Sequence, residues 1–116
     1  MVDRDEFMKI LDDQRKKFTH KDVARFFKGW NKTMQYYFTD LDEYYVIELV
    51  DGIPKPIVQE KLEKPDIMYT MSTETFLALN KGEISGFKAY QQGKLIVKAT
   101  MPEIMKLQKL DKLQID

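Results

Sequence analysis

Few side chains in this sequence could act as an acid, a base or a nucleophile. His20, the one histidine, lies between Thr19 and Lys21 at a predicted helix start, where an exposed first-turn residue is more usual than a catalytic base. Glu48 is the one acid predicted inside a strand, and it could serve as an acid–base group only if it were held in apolar surroundings. A strand acid more often points to solvent. The absence of cysteine excludes thiolate nucleophiles and sulfur-ligated metals.

Neither a phosphate site nor a metal site is predicted. The glycines of the C-terminal third follow no strand-to-helix G-x-G-x-x-G or Gly-Lys-Ser/Thr spacing, so they are interpreted as caps and turns. Asp40, Asp42 and Glu43 share one loop and could hold a hard cation, but the loop lacks the sixth-position glycine of an EF-hand. A solvated hairpin loop is the simpler interpretation. We therefore expect no catalysis, no cofactor and no metal.

Length and composition limit the functions further. The chain has 116 residues, 43% hydrophobic and 33% charged, as in an ordinary globular protein. Its 19 basic and 19 acidic side chains balance, so no overall field attracts nucleic acid. No stretch approaches the roughly 20 apolar residues of a membrane span, and residues 1–6 lack the apolar core of a secretory signal. We predict one soluble, cytoplasmic α+β domain over residues 1–116.

Two helices are predicted before the first strand. Apolar residues recur at helical spacing among charges from Phe7 to Phe18, which predicts an amphipathic helix over about residues 3–17. Thr19 offers the N-cap of a second short helix, which ends near Gly29 and carries an aromatic face.

From Lys32 onward the apolar period changes from helical to two, which predicts strands with one inward face. Asp51-Gly52 is a hairpin signal. The prolines at 54 and 56 restrict the following segment to the edge of the sheet, because proline cannot donate to a ladder. The other four predicted strands cover residues 34–38, 45–50, 67–71 and 94–99.

The C-terminal third carries more apolar side chain than one modest sheet needs. Ser72 is the predicted cap of a helix over residues 73–80, a small helix follows within residues 84–91, and a capping box from Thr100 to Glu103 begins a last helix that runs to about residue 113. At 100° per residue, apolar residues surround most of this last helix, beside a narrow lysine seam. The residues concerned are Met101, Ile104, Met105, Leu107, Leu110 and Leu113, with Lys106, Lys109 and Lys112 in the seam.

Three interpretations of this apolar excess stay open at this point: a well-packed terminal helix, a dimer interface, or a movable wall over a ligand cavity. Phe76, Leu77, Ile84, Phe87 and Tyr90 add to the same region and raise the weight of the cavity interpretation.

Several runs of the sequence resemble the sterol carrier protein type 2 family in order and spacing. They are Pro65-Asp66-Ile67, Met71 to Phe76, Leu79 to Gly82, Ala89-Tyr90 to Leu95, and Met105-Lys106-Leu107. The resemblance covers about residues 32–113 and is most specific after residue 65. One departure is that Ala99-Thr100 stands where the family commonly has Gly-Asp or Gly-Asn after the fifth strand.

The resemblance implies a five-stranded mixed sheet covered by helices and enclosing a hydrophobic tunnel, with N-terminal helices over residues 3–30 and the sheet and tunnel helices over 32–113. It implies non-enzymatic binding and transfer of a lipid, namely a sterol, a fatty acid or a fatty acyl-CoA. The alternative is a ligand-free interaction or dimerisation module, and transient membrane contact and a homodimer stay open. The residues implied to bind lipid are Met71, Phe76, Leu77, Ile84, Phe87, Tyr90, Met101, Ile104, Met105 and Leu107.

Overall fold

Five strands in the described part of the chain form one mixed sheet in the order β3-β2-β1-β4-β5, with the helices on one face. The computed structural model describes residues 3–111, and the side chains up to residue 108. The elements are α1 (Arg4–Lys16), α2 (Lys21–Phe27), β1 (Lys32–Phe38), β2 (Glu43–Val50), β3 (Ile53–Pro54), β4 (Ile67–Met71), α3 (Thr73–Asn80), α4 (Gly86–Gln91), β5 (Leu95–Lys98) and α5 (Met101–Asp111). The predicted α+β class with a five-stranded mixed sheet is confirmed.

The strand β1 lies at the centre of the sheet. It runs antiparallel to β2 and parallel to β4, with Tyr36 paired to Tyr45 on one side and to Tyr69 on the other. The strand β5 continues the sheet antiparallel to β4. The predicted alternation is confirmed, because one face of β1 and β2 is buried against the helices. Its members are Met34, Tyr36, Phe38, Tyr45, Ile47 and Leu49.

Gln35 lies on the opposite face of the sheet and is nevertheless buried. The chain between β3 and β4 crosses this face, and the Leu62 N–H donates to Gln35 Oε1 at 2.6 Å. A strand pattern with one polar face does not predict this burial, since the cover comes from an irregular segment with no period of its own.

The helix α1 matches its prediction, and the start of α2 differs from it. Thr19 is not the N-cap of α2, because residues 17–19 form a 3-10 turn in which the Thr19 hydroxyl donates back to the Lys16 carbonyl at 2.7 Å. His20 caps the helix instead, and its Nδ1 accepts from the Asp22 N–H at 3.2 Å. The histidine is therefore part of a helix cap, as its place near the helix start had suggested in coarser form.

The hairpin between β2 and β3 packs against the end of α2. Asp51 and Gly52 both have positive φ, 52° and 78°, as the Asp-Gly signal predicts. A side chain at Gly52 would collide with the Phe27 carbonyl, and the Gly52 N–H donates to the Trp30 carbonyl at 2.8 Å. Glycine is thus required here both for backbone conformation and for close approach.

The last three helices begin where the sequence predicts. Ser72 caps α3, Ser85 caps α4, and the Thr100–Glu103 capping box begins α5. The predicted end of the last helix near residue 113 lies outside the described residues. Between residues 3 and 111, no helix is both long enough and apolar enough to cross a bilayer.

Candidate functional site

The helices cover the inner face of the sheet unevenly. Tyr45, Tyr36, Tyr69 and Val97 form one row across β2, β1, β4 and β5. Tyr45 and Tyr36 are 2% and 3% exposed, whereas Tyr69 and Val97 are only half-buried. The apolar cover is thus complete over β1 and β2 and incomplete over β4 and β5.

Aromatic rings fill the well-covered half. Phe7 of α1 contacts Phe38 of β1 at 4.7 Å between ring centroids and Phe76 of α3 at 5.8 Å, each edge to face. Phe76 and Phe38 are 5.3 Å apart. Such ring contacts add to the stabilisation from burial alone. They hold α3 over β1, so the space beside α3 lies toward β4 and β5.

The β1–β2 loop fixes the start of α3. Asp40 accepts from the Thr73 N–H at 2.9 Å and also from the Thr73 hydroxyl. Burial alone would raise the pKa of Asp40, but these hydrogen bonds outweigh it and hold the pKa below its usual value. The carboxylate therefore acts as a second cap for α3, beside Ser72.

An open groove of about 630 Å³ lies along α3 and α4. Ala78 and Ile84 supply apolar wall, and Glu74, Glu83, Lys88 and Lys94 supply charged wall. A groove of this kind offers apolar surface to a chain and charged groups to a polar head. The closed tunnel that the resemblance implies stays a prediction.

The ten residues predicted to bind lipid fall into three groups. Three are buried in the core: Met71, Phe76 and Leu107. Three are half-buried at its margin: Leu77, Ile84 and Ile104. Four point to solvent, with exposed fractions of 60–70%: Phe87, Tyr90, Met101 and Met105. The structure thus brings six of the ten to the apolar interior, and the predicted role of all ten in binding lipid stays a prediction.

An ion pair fastens the start of α5 to the sheet. Glu103 is buried, and its Oε2 lies 2.8 Å from Lys32 Nζ at the start of β1. Its Oε1 accepts from the Thr100 N–H at 2.7 Å. Burial by itself would raise the pKa of Glu103, but Lys32 and Thr100 together lower it. Sequence reasoning identified Glu103 only as a capping residue.

Lys106 also faces inward, which contradicts a solvated lysine seam at this position. Its Nζ lies 5.3 Å from the Trp30 ring centroid and 6.0 Å from that of Phe27, as in cation–π contacts. The helix α5 packs against α2 through this side. Lys109 and Lys112, the rest of the predicted seam, have side chains outside the described residues.

The other side chains that could have done chemistry have structural partners. Glu48 is exposed and pairs with Lys55 at 3.3 Å, so it points to solvent as expected. The remaining acids of the β1–β2 loop are used too: Asp42 accepts from the Tyr37 hydroxyl at 2.8 Å, and Glu43 pairs with Arg4 at 3.0 Å. Among the described residues, no group of three or more histidine, cysteine or acidic side chains could hold a metal ion.

The fold and the runs of sequence that resemble sterol carrier proteins agree with a comparison against protein families. A model described as the SCP-2 sterol transfer family matches residues 8–112. The chain belongs to the SCP-2 sterol transfer family. The match includes most of α1 as well as the C-terminal helices, so it extends beyond the runs that carried the resemblance.

Solved SCP-2 structures share this fold. The sterol carrier protein domain 2 of Helicoverpa armigera is 26% identical, with a TM-score of 0.70 over 92% of this chain and 84% of that one. Sterol Carrier Protein-2 from Aedes aegypti, solved in complex with palmitate, is 16% identical, with a TM-score of 0.70 over 97% of each chain. At the second identity only the fold is shared.

An SCP-2-like fold also occurs within a larger enzyme. The sec-alkylsulfatase Pisa1 from Pseudomonas sp. is 17% identical, with a TM-score of 0.63 over 79% of this chain. This chain spans only 14% of the length of that protein. No protein of curated function matches the sequence.

Proposed function

We propose that this SCP-2 domain binds a lipid beside α3, over the β4–β5 side of the sheet, and carries it without chemical change. The ligand class is a sterol, a fatty acid or a fatty acyl-CoA. The observation that supports this most is the incomplete cover of Tyr69 and Val97, in a row whose other half is fully buried. An apolar guest would complete that cover.

The groove and the half-buried residues suit a chain-like guest. Leu77, Ile84 and Ile104 lie at the margin of the core, where a ligand could bury them further. Together with the buried Met71, Phe76 and Leu107 they are the lining we propose. The palmitate bound by the Aedes aegypti protein is a ligand of the same class.

The expected affinity follows from buried area. Covering about 400 Å² of apolar ligand surface contributes roughly 10 kcal/mol at about 25 cal/mol per Å². Loss of ligand freedom and ordering of side chains remove several kcal/mol of this. We therefore expect micromolar binding with loose selectivity. The single domain over residues 1–116, its cytoplasmic location and its lack of catalysis stay predictions.

Two variants of the half-buried lining test the proposal. Leu77→Asp and Ile84→Asp place a charge beside the guest, so each should weaken the binding of a fluorescent fatty acid by tenfold or more, that is by about 1.4 kcal/mol or more. Ile53→Asp is the matched control, because Ile53 is an exposed apolar residue on β3 at the opposite edge of the sheet. Circular dichroism checks that each variant is folded.

Organic extraction of the purified protein, followed by mass spectrometry, asks the same question without a probe. We expect a co-purified lipid, or uptake of the fluorescent fatty acid by the empty protein. A protein that carries no lipid, takes up no fatty acid and forms a tight dimer would refute lipid carriage and favour the interaction module.

A further inference from the structure

Four large apolar side chains on the last two helices are turned to solvent. Phe87 and Tyr90 are three residues apart on α4, and Met101 and Met105 are four apart on α5, so each pair shares one side of its helix. Their exposed fractions are 70%, 60%, 67% and 63%. We call these four residues the α4–α5 surface.

The first helix offers no comparable surface. Phe7 and Leu11 of α1 are fully buried in the core. The charges of this helix are balanced, with four basic and four acidic side chains. An apolar and charged face that could bind a partner is therefore found on the last helices rather than on α1.

The α4–α5 surface lies in a basic part of the chain. Residues 84–108 contain four lysines and a single acid, Glu103, which is buried and paired with Lys32. The exposed lysines of this stretch are Lys88, Lys94 and Lys98. Because the whole chain has no net charge, the rest of it carries the compensating negative charge. The basic charge is thus confined to the stretch that exposes apolar side chains.

Apolar side chains beside lysines are complementary to an anionic bilayer. Aromatic and methionine side chains enter the interface, while lysines stay at the level of the headgroups. A second copy of the chain is a poorer partner, since a two-fold contact would place these lysines against their own copies. The charge therefore selects a bilayer over a dimer.

We propose that the α4–α5 surface docks the domain onto anionic lipid bilayers. This inference rests on the proposed function in one respect, that a lipid carrier must load and unload at membranes. The docking residues are distinct from the proposed lining, so the two activities can be separated by mutation.

Sedimentation with large unilamellar vesicles tests the docking. We expect binding to vesicles of phosphatidylcholine and phosphatidylglycerol at 7:3, and binding about tenfold weaker or less to pure phosphatidylcholine. The double variants Phe87→Ser/Tyr90→Ser and Met101→Ser/Met105→Ser should each lose about tenfold in vesicle affinity, because each removes two inserted side chains. Lys98→Glu should lose about tenfold as well, and Lys9→Glu on α1 should lose little.

Ile53→Ser is the matched control for lost apolar exposure, since Ile53 is 66% exposed on β3. It should sediment like the wild type. Unchanged sedimentation of either double variant, or an equal loss in Ile53→Ser, would overturn the proposal. So would a dimer in the absence of vesicles that Met101→Ser/Met105→Ser converts to monomers.

A parallel measurement of fatty-acid binding separates docking from carriage. Both double variants should bind a fluorescent fatty acid as the wild type does. A wild type that sediments with anionic vesicles but takes up no fatty acid would leave docking standing and remove the proposed function. A wild type that takes up fatty acid but ignores the vesicles would do the reverse.

Discussion

Among single residues, Glu103 links chemistry and structure most directly. Its pKa is lower in the folded than in the unfolded chain, because Lys32 and the Thr100 N–H favour the ionised form despite burial. A carboxylate of this kind stabilises the fold above its unfolded pKa, and that stability is lost as pH falls through the folded pKa. The attachment of α5 to β1 should therefore weaken in acid.

Replacing Glu103 with glutamine tests this linkage. At pH 7, Glu103→Gln should lower the melting temperature by about 4–8 °C, because the charge-assisted bond to Lys32 is lost. The difference from the wild type should shrink between about pH 5 and pH 3, as Glu103 itself becomes neutral. Glu63→Gln, at an exposed acid, serves as control and should change little. A difference that stays constant down to pH 3 would show that charge is not the cause.

Sequence reasoning reached Glu103 and His20 only in part. The spacing from Thr100 to Glu103 is local, so the capping box could be predicted. The partner Lys32 is far away in the sequence, and nothing in either segment pairs the two. Likewise, His20 was expected to be an exposed first-turn residue, and Thr19 was expected to be the cap that His20 supplies.

The separate helices and strands were easier to predict than their contacts. A period of two determines which side of a strand is apolar, so the inward residues of β1 and β2 follow from sequence. For α5 the period could not decide, because apolar residues surround most of the helix. The structure places Glu103, Lys106 and Leu107 inward and the two methionines outward.

The contact between the β2–β3 hairpin and α2 yields a prediction about Gly52. Gly52→Ala combines positive φ with a collision against the Phe27 carbonyl, so it should reduce the free energy of unfolding by about 2–4 kcal/mol. Gly82→Ala is the matched control: its φ is 75°, but nothing lies within 4 Å of the new side chain. It should cost about 1 kcal/mol. Urea denaturation measures both, and equal losses would show that the collision is relieved.

Over the full chain, the fold and the family were within reach of the sequence, and the state of the site was not. The order of motifs after residue 65 carried the resemblance, and the family match confirms it. An excess of apolar residues near the C-terminus was also visible. Whether that excess would be buried or exposed depends on how α4 and α5 are oriented, and the structure divides it between both.

Ligand binding should stabilise the fold, since the proposed site lies at the margin of the core. A fatty acid present at about 100 times its dissociation constant should add about 2.7 kcal/mol, which raises the melting temperature by about 10 °C. Differential scanning fluorimetry with palmitate measures the shift. Butyrate should give none, because it has too little apolar surface, and Ile84→Asp should respond weakly. An equal shift with butyrate would count against an apolar site.

The surroundings of Trp30 have a practical consequence. Its indole lies between two ammonium groups, with Lys106 Nζ at 5.3 Å and Lys32 Nζ at 5.9 Å from the ring centroid. One of these cations belongs to α5, and the other holds Glu103 of that helix. Because Trp30 is the sole tryptophan of the chain, its emission spectrum is an intrinsic optical reporter of whether α5 is seated, and no dye has to be attached.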